Sequence, residues 1–281
     1  VSETQSSARQ RAGRAGRTKP GVAIRLFSSA DYDVMAVDPK PELECRPLAI
    51  TAATLFSIGV DILSFNWLQA PSPAAVQAAL DQLEFLGALQ PHHTKVKDRL
   101  TPLGHAIAVL KVDPGIVRML FRACTQGFGS AACLLAGVAS FSSNLFWRGV
   151  EPAERIAADE SIASFDIAGR GDLVSAYRMA LQWRALKTRK QQTKWCTENH
   201  VNNKSMRLAV AEARTLEQSL KRTKHGTVWK QHARQDLAVS DEALQAMVAS
   251  AHFLHVARRV GDQTYAAIRA GVVGYLHPGS A

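Results

Sequence analysis

Apolar residues recur along most of this chain at the three- and four-residue steps of amphipathic helices, with regular punctuation between them. Pro47 opens a run to Ile58 that places Leu55 and Ile58 on an apolar face, and Gly59 closes it. Ser72-Pro73 caps and opens a helix over 74–86, with Val76, Leu80, Leu83 and either Leu86 or Ala79 turned inward and Gly87 as its stop. Thr101-Pro102 opens Leu103 to Leu110 by the same device, and Asp113-Pro114 opens Gly115 to Thr125, which Gly127 ends. The stretch Ala131 to Phe141 is apolar on every side, which predicts the centre of a bundle rather than a surface helix. Further helices are expected over Val174 to Trp183 and Asp241 to Val256. Glu151-Pro-Ala-Glu154 reads as a polar linker helix or loop. Strand-like stretches are few: Val22 to Phe27, Gln263 to Ile268 and Val272 to Leu276, with Ala88-Leu-Gln90 and Asp98-Arg-Leu100 able to pair as a short hairpin. The pattern therefore predicts a mainly α chain with minor β elements.

Composition adds a partner class to this picture. The 281 residues have room for about two domains, and 47% hydrophobic content suffices for real cores. A net charge of +10 points to an anionic partner, nucleic acid before membrane. No apolar run reaches the roughly 18 residues a membrane span needs. The start, Val1-Ser-Glu-Thr, has neither an initiating Met nor an apolar leader, so a fragment or excised domain is expected. Cys45, Cys124, Cys133 and Cys196 are scattered without a CxxC pair, which fits an intracellular, reducing compartment. His252 and His255, and His225 and His232, lack further ligands at suitable spacing, so no metal site is expected.

One octet carries candidate chemistry: Gln10-Arg-Ala-Gly-Arg-Ala-Gly-Arg17. Ser6 or Ser7 can cap a helix ahead of it, and Lys19-Pro20-Gly21 stops whatever forms. In a helix, Gln10, Arg14 and Arg17 at i, i+4 and i+7 share one face. Gly13 and Gly16 are poor helix formers and let another backbone or a ligand come close. Guanidiniums offer planar forks of donors that suit a phosphate chain. The competing reading is a solvated basic tail. A second concentration of charge lies between Arg184 and Arg234, where thirteen basic residues face only Glu198, Glu212 and Glu217. Such a stretch gathers phosphates and gives salt-dependent binding, unless it is merely a charged linker with a solvated helix face.

The octet, followed by Thr-Lys-Pro-Gly and the strand-like Val22 to Phe27, resembles the last motif of DEAH-box RNA helicases, in their second RecA-like domain. The rest of the chain follows the family's order. Phe65-Asn-Trp-Leu, Pro71-Ser-Pro, Leu80-x-x-Leu-x-x-Leu-Gly-Ala-Leu89 and Leu100-Thr-Pro-Leu-Gly104 resemble its winged-helix domain. Gly171-Asp-Leu, the apolar helix after it and Trp195-Cys-Thr-Glu-Asn199 resemble its helical ratchet-like domain, with His200 where the family usually has another aromatic residue. Ala251 to Arg258 and Tyr275 to Ala281 resemble the start of its OB-fold. The resemblance implies four parts. Residues 1–46 are the C-terminal edge of a RecA-like α/β domain, and 47–110 a winged helix. Residues 111–235 are the ratchet-like helical bundle, and 236–281 an incomplete OB-fold of about two strands with exposed edges.

The resemblance further implies the C-terminal part of an ATP-dependent RNA helicase that couples hydrolysis to translocation on, or remodelling of, single-stranded RNA. Arg14 and Arg17 would be arginine fingers on the γ-phosphate, Gln10 would position the attacking water, and Gly13 would line the nucleotide site. Arg11 would bridge to protein groups. Lys194, Asn199, Lys204 and Arg207, nearest the Trp-Cys segment, are the favoured RNA contacts. ATP with Mg²⁺ would be bound mainly outside this chain, which contains neither Gly-x-x-x-x-Gly-Lys-Ser/Thr nor Asp-Glu-Ala-His, so the chain alone is expected to have no ATPase activity. Some helicases of this family are activated by glycine-rich peptides that dock on the winged helix, and nuclear and cytoplasmic locations are equally open. The alternatives are a non-catalytic RNA-binding or protein-docking module and a winged-helix DNA regulator. Asp81 and Glu84, on a helix without Lys or Arg, argue against the regulator.

Overall fold

The computed structural model describes residues 3–91, 95–147, 149, 151–165, 170–222, 239–269 and 271–275, and Lys97 by its backbone alone. The fold is mainly α with one small antiparallel sheet, as the hydrophobic pattern predicts. Two compact units share it, Val1–Leu48 with Asn66–Ala79 and Ala49–Phe65 with Leu80–Ala281.

In the first unit, α1 (Gln5–Ala12) is capped by Thr4, two or three residues before the serines expected to cap it. Its first free N–H groups, those of Gln5 and Ser6, donate to the carbonyls of Ala36 and Val37, each at 2.9 Å. A capping box between Ser28 and Asp31 starts α2 (Ser29–Val34), and α3 (Glu42–Cys45) is a single turn. Val22 to Phe27 does not form the expected strand. It runs without a ladder partner among the described residues, and Val22, Ile24 and Leu26 stand 82–96% exposed. The alternation is correct, but a strand exists only where a second strand accepts its hydrogen bonds.

The second unit is built outward from α8 (Gly129–Phe141), in which every residue from Ala131 to Val138 is buried. Around it lie α7 (Pro114–Thr125), α10 (Asp172–Ala185) and α12 (Asn203–Arg222), and their facing side chains make one continuous core. Small residues set how closely α8 meets α12. A Cβ on Gly137 would run into the Ala209 carbonyl oxygen. The helix α13 (Asp241–His252) lies on α7, where Gly115 leaves room for the Ala251 carbonyl, and Arg178 of α10 holds Asp241 at its first turn, Nε to Oδ1 2.8 Å.

The Ser-Pro, Thr-Pro and Asp-Pro devices behave as read, whereas Pro47 stays outside the helix it was expected to open, which starts at Ala49. Pro73 opens α5 (Pro73–Phe85), Thr101 caps α6 (Pro102–Leu110), and Asp113 caps α7 through Gly115 N–H at 2.8 Å and Ile116 N–H at 3.3 Å. Asp113→Ala is expected to cost about 1 kcal/mol of stability, and Asp113→Asn much less, read as urea midpoints followed by circular dichroism. The short hairpin is present as a bridge between Leu89 and Leu100, and α4 (Ala49–Ser57) sits against α6.

Two helix ends and the number of strands differ from expectation. The first helix of this unit stops at Ser57, so Leu55 is buried but Ile58, beside the left-handed Gly59, is 69% exposed. Within the span expected to be helical, the helix alternative holds at Glu151 to Glu154, which leads α9 (Pro152–Phe165), and α11 (Arg189–Glu198) starts from a Thr188/Gln191 capping box. The helix expected to reach Val256 ends at His252 and gives way to one 3-10 turn and β1 (Ala257–Arg259). The sheet therefore has three strands rather than two. Here β1 pairs with β2 (Thr264–Ala267) through Ala257↔Ala267 and Arg259↔Tyr265, and β2 pairs with β3 (Val273–Tyr275) through Thr264↔Tyr275 and Ala266↔Val273. Of the OB-like stretches, Leu276 to Ala281 lie outside the described residues.

Candidate functional sites: an arginine turn and a basic helix

The octet is a helix end followed by a tight turn, not a continuous helix. α1 stops at Ala12, and Gly13 closes it with its N–H on the Arg9 carbonyl at 2.9 Å. The chain then turns through Arg14 N–H to Arg11 O, 3.0 Å, and Ala15 N–H to Ala12 O, 3.1 Å, and passes through Gly16 at φ +78°. Two low-propensity glycines, Gly13 and Gly16, ahead of the Pro20-Gly21 pair outweigh the i, i+4, i+7 spacing. Gln10, Arg14 and Arg17 consequently do not share a helix face. Gln10 sits on the last turn of α1, Arg14 begins the turn and Arg17 follows it, and all three are exposed.

Among the described residues, no side-chain hydrogen bond or ion pair engages Arg14 or Arg17. Arg11 is different: it pairs with Glu3 at 2.8 Å, as expected of it. Gln10 and Arg11 line an open cleft of about 570 Å³ with Glu3, Thr4, Ser6, Ser7 and Pro39. A second trough, about 530 Å³, lies against Ala8, Ala12, Ala15 and the extended Val22 to Phe27. Gly13 has a helical φ of −67°, and a Cβ there would meet only carbonyl oxygens at 3.5 Å, so nothing within the chain demands glycine. Gly16 is demanded by its left-handed backbone.

The second candidate lies at α11 and α12. Lys194 is exposed and pairs weakly with Glu198 at 3.6 Å, and Asn199 spends its amide on the Trp195 carbonyl at 2.8 Å, finishing α11. Asn202 caps the start of α12, accepting from Lys204 N–H at 3.1 Å and Ser205 N–H at 3.2 Å. From there the inner face of α12, Met206, Ala209, Val210, Ala213, Leu216 and Leu220, is buried. The 3.6-residue period sends Lys204, Arg207, Arg214 and Lys221 to the opposite side, within an arc of about 100°. The side chains of Lys204, Arg207 and Arg214 have no partner among the described residues, whereas Lys221 pairs with Glu217 at 2.7 Å. Arg214 was not singled out from sequence, although its place seven residues after Arg207 is the signal that finds it. Arg184, Lys187, Arg189 and Lys190 are exposed as well, while Lys224, Lys230 and Arg234 lie outside the described residues.

Burial pushes the Cys124 thiol up to about 12 and the Cys196 thiol up to about 11, and holds Cys133 well above its usual value, so these cysteines are poor nucleophiles at neutral pH. Among the described residues no group of three or more His, Cys, Asp or Glu could hold a metal ion, and no helix is long and apolar enough to cross a membrane. His225 and His232 lie outside the described residues.

No family model matches the chain. Curated proteins do. The chain is 33% identical over 220 residues to ATP-dependent RNA helicase DEAH11, chloroplastic, and 34% identical over 220 residues to ATP-dependent RNA helicase DEAH12, chloroplastic, both of Arabidopsis thaliana. Each match takes in 78% of this chain and 12% of the relative. It is 29% identical over 285 residues to ATP-dependent RNA helicase DHX33 of Mus musculus, a match covering 100% of this chain and 38% of that protein. The chain thus spans well under half the length of the relatives it matches, and its homologues are DEAH-box ATP-dependent RNA helicases.

Proposed function

We propose that this chain is the C-terminal part of an ATP-dependent RNA helicase that moves along, or remodels, single-stranded RNA. In this reading residues 1–46 are the edge of a RecA-like domain, 47–110 a winged helix, 111–235 a ratchet-like bundle and 236–281 the beginning of an OB-fold. Arg14 and Arg17 are arginine fingers toward the γ-phosphate of ATP, Gln10 orients the attacking water and Gly13 borders the nucleotide. The observation that carries the reading is a pair of exposed guanidiniums, unpartnered among the described residues, on a chain whose homologues are named ATP-dependent RNA helicases. When bound, Mg²⁺·ATP supplies the phosphoryl group to be transferred. The residues of this chain contribute only fixed positive charge and a water-orienting amide, because no phosphate loop or Asp-Glu-Ala-His occurs in it. The chain by itself is accordingly expected to turn over no ATP.

RNA is held, on this reading, by the exposed side of α12 with Lys194 and Asn199 nearby. Lys204, Arg207 and Arg214 fall along about 15 Å of helix axis, which matches contacts to successive phosphates rather than to base edges. Binding is then largely independent of sequence. The test is the affinity of the chain for a single-stranded oligoribonucleotide against salt concentration. The logarithmic slope is expected to fall by about 0.7 for each of Lys204, Arg207 and Arg214 replaced by alanine. A flat salt response, or slopes unchanged in the triple variant, removes α12 as the RNA surface. A glycine-rich activator peptide on residues 47–110 and a nuclear or cytoplasmic location complete the proposal.

A further inference from the structure

Trp147 is more than half exposed, at 54%, yet it does not belong to a fraying segment. Its backbone N–H donates to the His200 carbonyl at 2.8 Å, the Asn202 N–H donates to the Leu145 carbonyl at 2.8 Å, and Phe146 bridges Val201 between them. Leu145, next but one, is fully buried. A short antiparallel pairing thus pins the indole above the loop that joins α11 to α12. The His200 ring lies nearly parallel to it, 8° between planes and 6.3 Å between centroids, an offset stack.

The way His200 is held shows what the arrangement favours. Its backbone adopts the left-handed conformation, φ 52°, which costs an L residue about 1 kcal/mol. Its Nδ1 is buried with no hydrogen-bond partner among the described residues. The imidazole is therefore placed by backbone geometry and by ring contact rather than by polar anchoring. Strain of this kind persists where surrounding structure enforces it, and it clusters at ligand sites. The same loop leads directly into α12, four residues before Lys204 and seven before Arg207, both exposed. An aromatic ring backed by a second ring, open to solvent and followed by unpaired cations, fits a nucleotide: the base on the indole and the phosphates on the basic side chains.

We propose that Trp147, backed by His200, is a stacking platform for one unpaired base of single-stranded RNA. This rests on the RNA-binding reading above, and it adds a contact to the base where that reading supplies only contacts to phosphate.

The test compares two probes on the 281-residue chain by fluorescence anisotropy: a labelled 12-nucleotide oligoadenylate and an abasic ribose-phosphate strand of the same length. Trp147→Ala is expected to weaken oligoadenylate binding about tenfold and to leave the abasic strand unchanged. Trp147→Phe is expected to retain most of the affinity, and His200→Ala to lose about threefold on oligoadenylate alone. Thermal melts by circular dichroism identify any variant that fails to fold, and Trp147→Phe, which keeps an aromatic ring, then carries the comparison of the two strands. Equal loss on both strands, or no loss on oligoadenylate, overturns the platform while leaving phosphate binding intact. A wild-type chain that binds neither strand overturns the RNA-binding reading itself.

Discussion

Gly137→Val is expected to unfold the helical bundle or to destabilise it by about 3 kcal/mol or more, seen as a large drop in the urea midpoint and in the melting temperature. Even the first added carbon, the Cβ, would overlap the Ala209 carbonyl oxygen of α12 and press the Ala213 Cβ at 3.1 Å. Neither is the far end of a flexible side chain, so α12 as a whole must move away from α8. Overpacking of a core ordinarily costs about 1–3 kcal/mol, and the upper end applies where backbone must shift. Gly137→Ala meets the same obstacle with less bulk and is expected to cost about 2 kcal/mol, ordering the series Gly, Ala, Val. The stripe that lets α12 come this near, Gly137 against Ala209 and Ala213, also sets where its outer face lies. A partly folded Gly137→Ala chain is therefore expected to lose RNA affinity together with helical signal, and Ala211→Ser, on the exposed side, to change neither. A Gly137→Val chain as stable as the wild type would show that the α8–α12 distance is not fixed by this contact.

The parts of the fold legible in sequence are those decided within a few residues. Ser72-Pro73, Thr101-Pro102 and Asp113-Pro114 open helices because a side-chain oxygen and a preset φ act locally, and the structure uses each of them. The all-apolar Ala131 to Phe141 announces its own burial. What was misread depends on partners far along the chain or on small local balances. Val22 to Phe27 alternates as a strand does but has no ladder. Ala257-Arg-Arg259, exposed at every position, has no alternation to detect and is a strand only because Thr264 to Ala267 accepts it. The end of α1 at Ala12 was a contest between spacing and two glycines, and the glycines prevail. The same divide runs through the candidate sites. The type and exposure of Arg14, Arg17, Lys204 and Arg207 follow from sequence, but the ring of His200 beneath Trp147 joins positions 53 residues apart and only the fold brings it into view.

A chimera in which this chain replaces the matching part of mouse DHX33, to which it aligns along 100% of its length, is expected to lose about a thousandfold in ATP turnover on Arg14→Ala. The loss should fall on kcat rather than on KM for ATP, because a finger that meets charge developing on the γ-phosphate contributes in the transition state and little in the ground state. Arg14→Lys is expected to recover little, since an ammonium is a point charge without the planar fork. RNA affinity should be unchanged, because Arg14 is not among the residues proposed to meet RNA. Arg17→Ala should follow the same pattern. The decisive control is three residues away. Arg11 carries the same charge at nearly the same place in sequence, but its guanidinium is already committed to Glu3 at 2.8 Å. Arg11→Ala is therefore expected to loosen the start of α1 while leaving turnover within about threefold, since a surface ion pair contributes on the order of 1 kcal/mol or less. If Arg14→Ala and Arg11→Ala have equal effects on kcat, the octet acts through general positive charge and the arginine-finger assignment is wrong. If only the exposed, unpaired arginines matter, the freedom of Arg14 and Arg17 from protein partners is what their role requires: a finger must be free of protein partners before it can reach a phosphate.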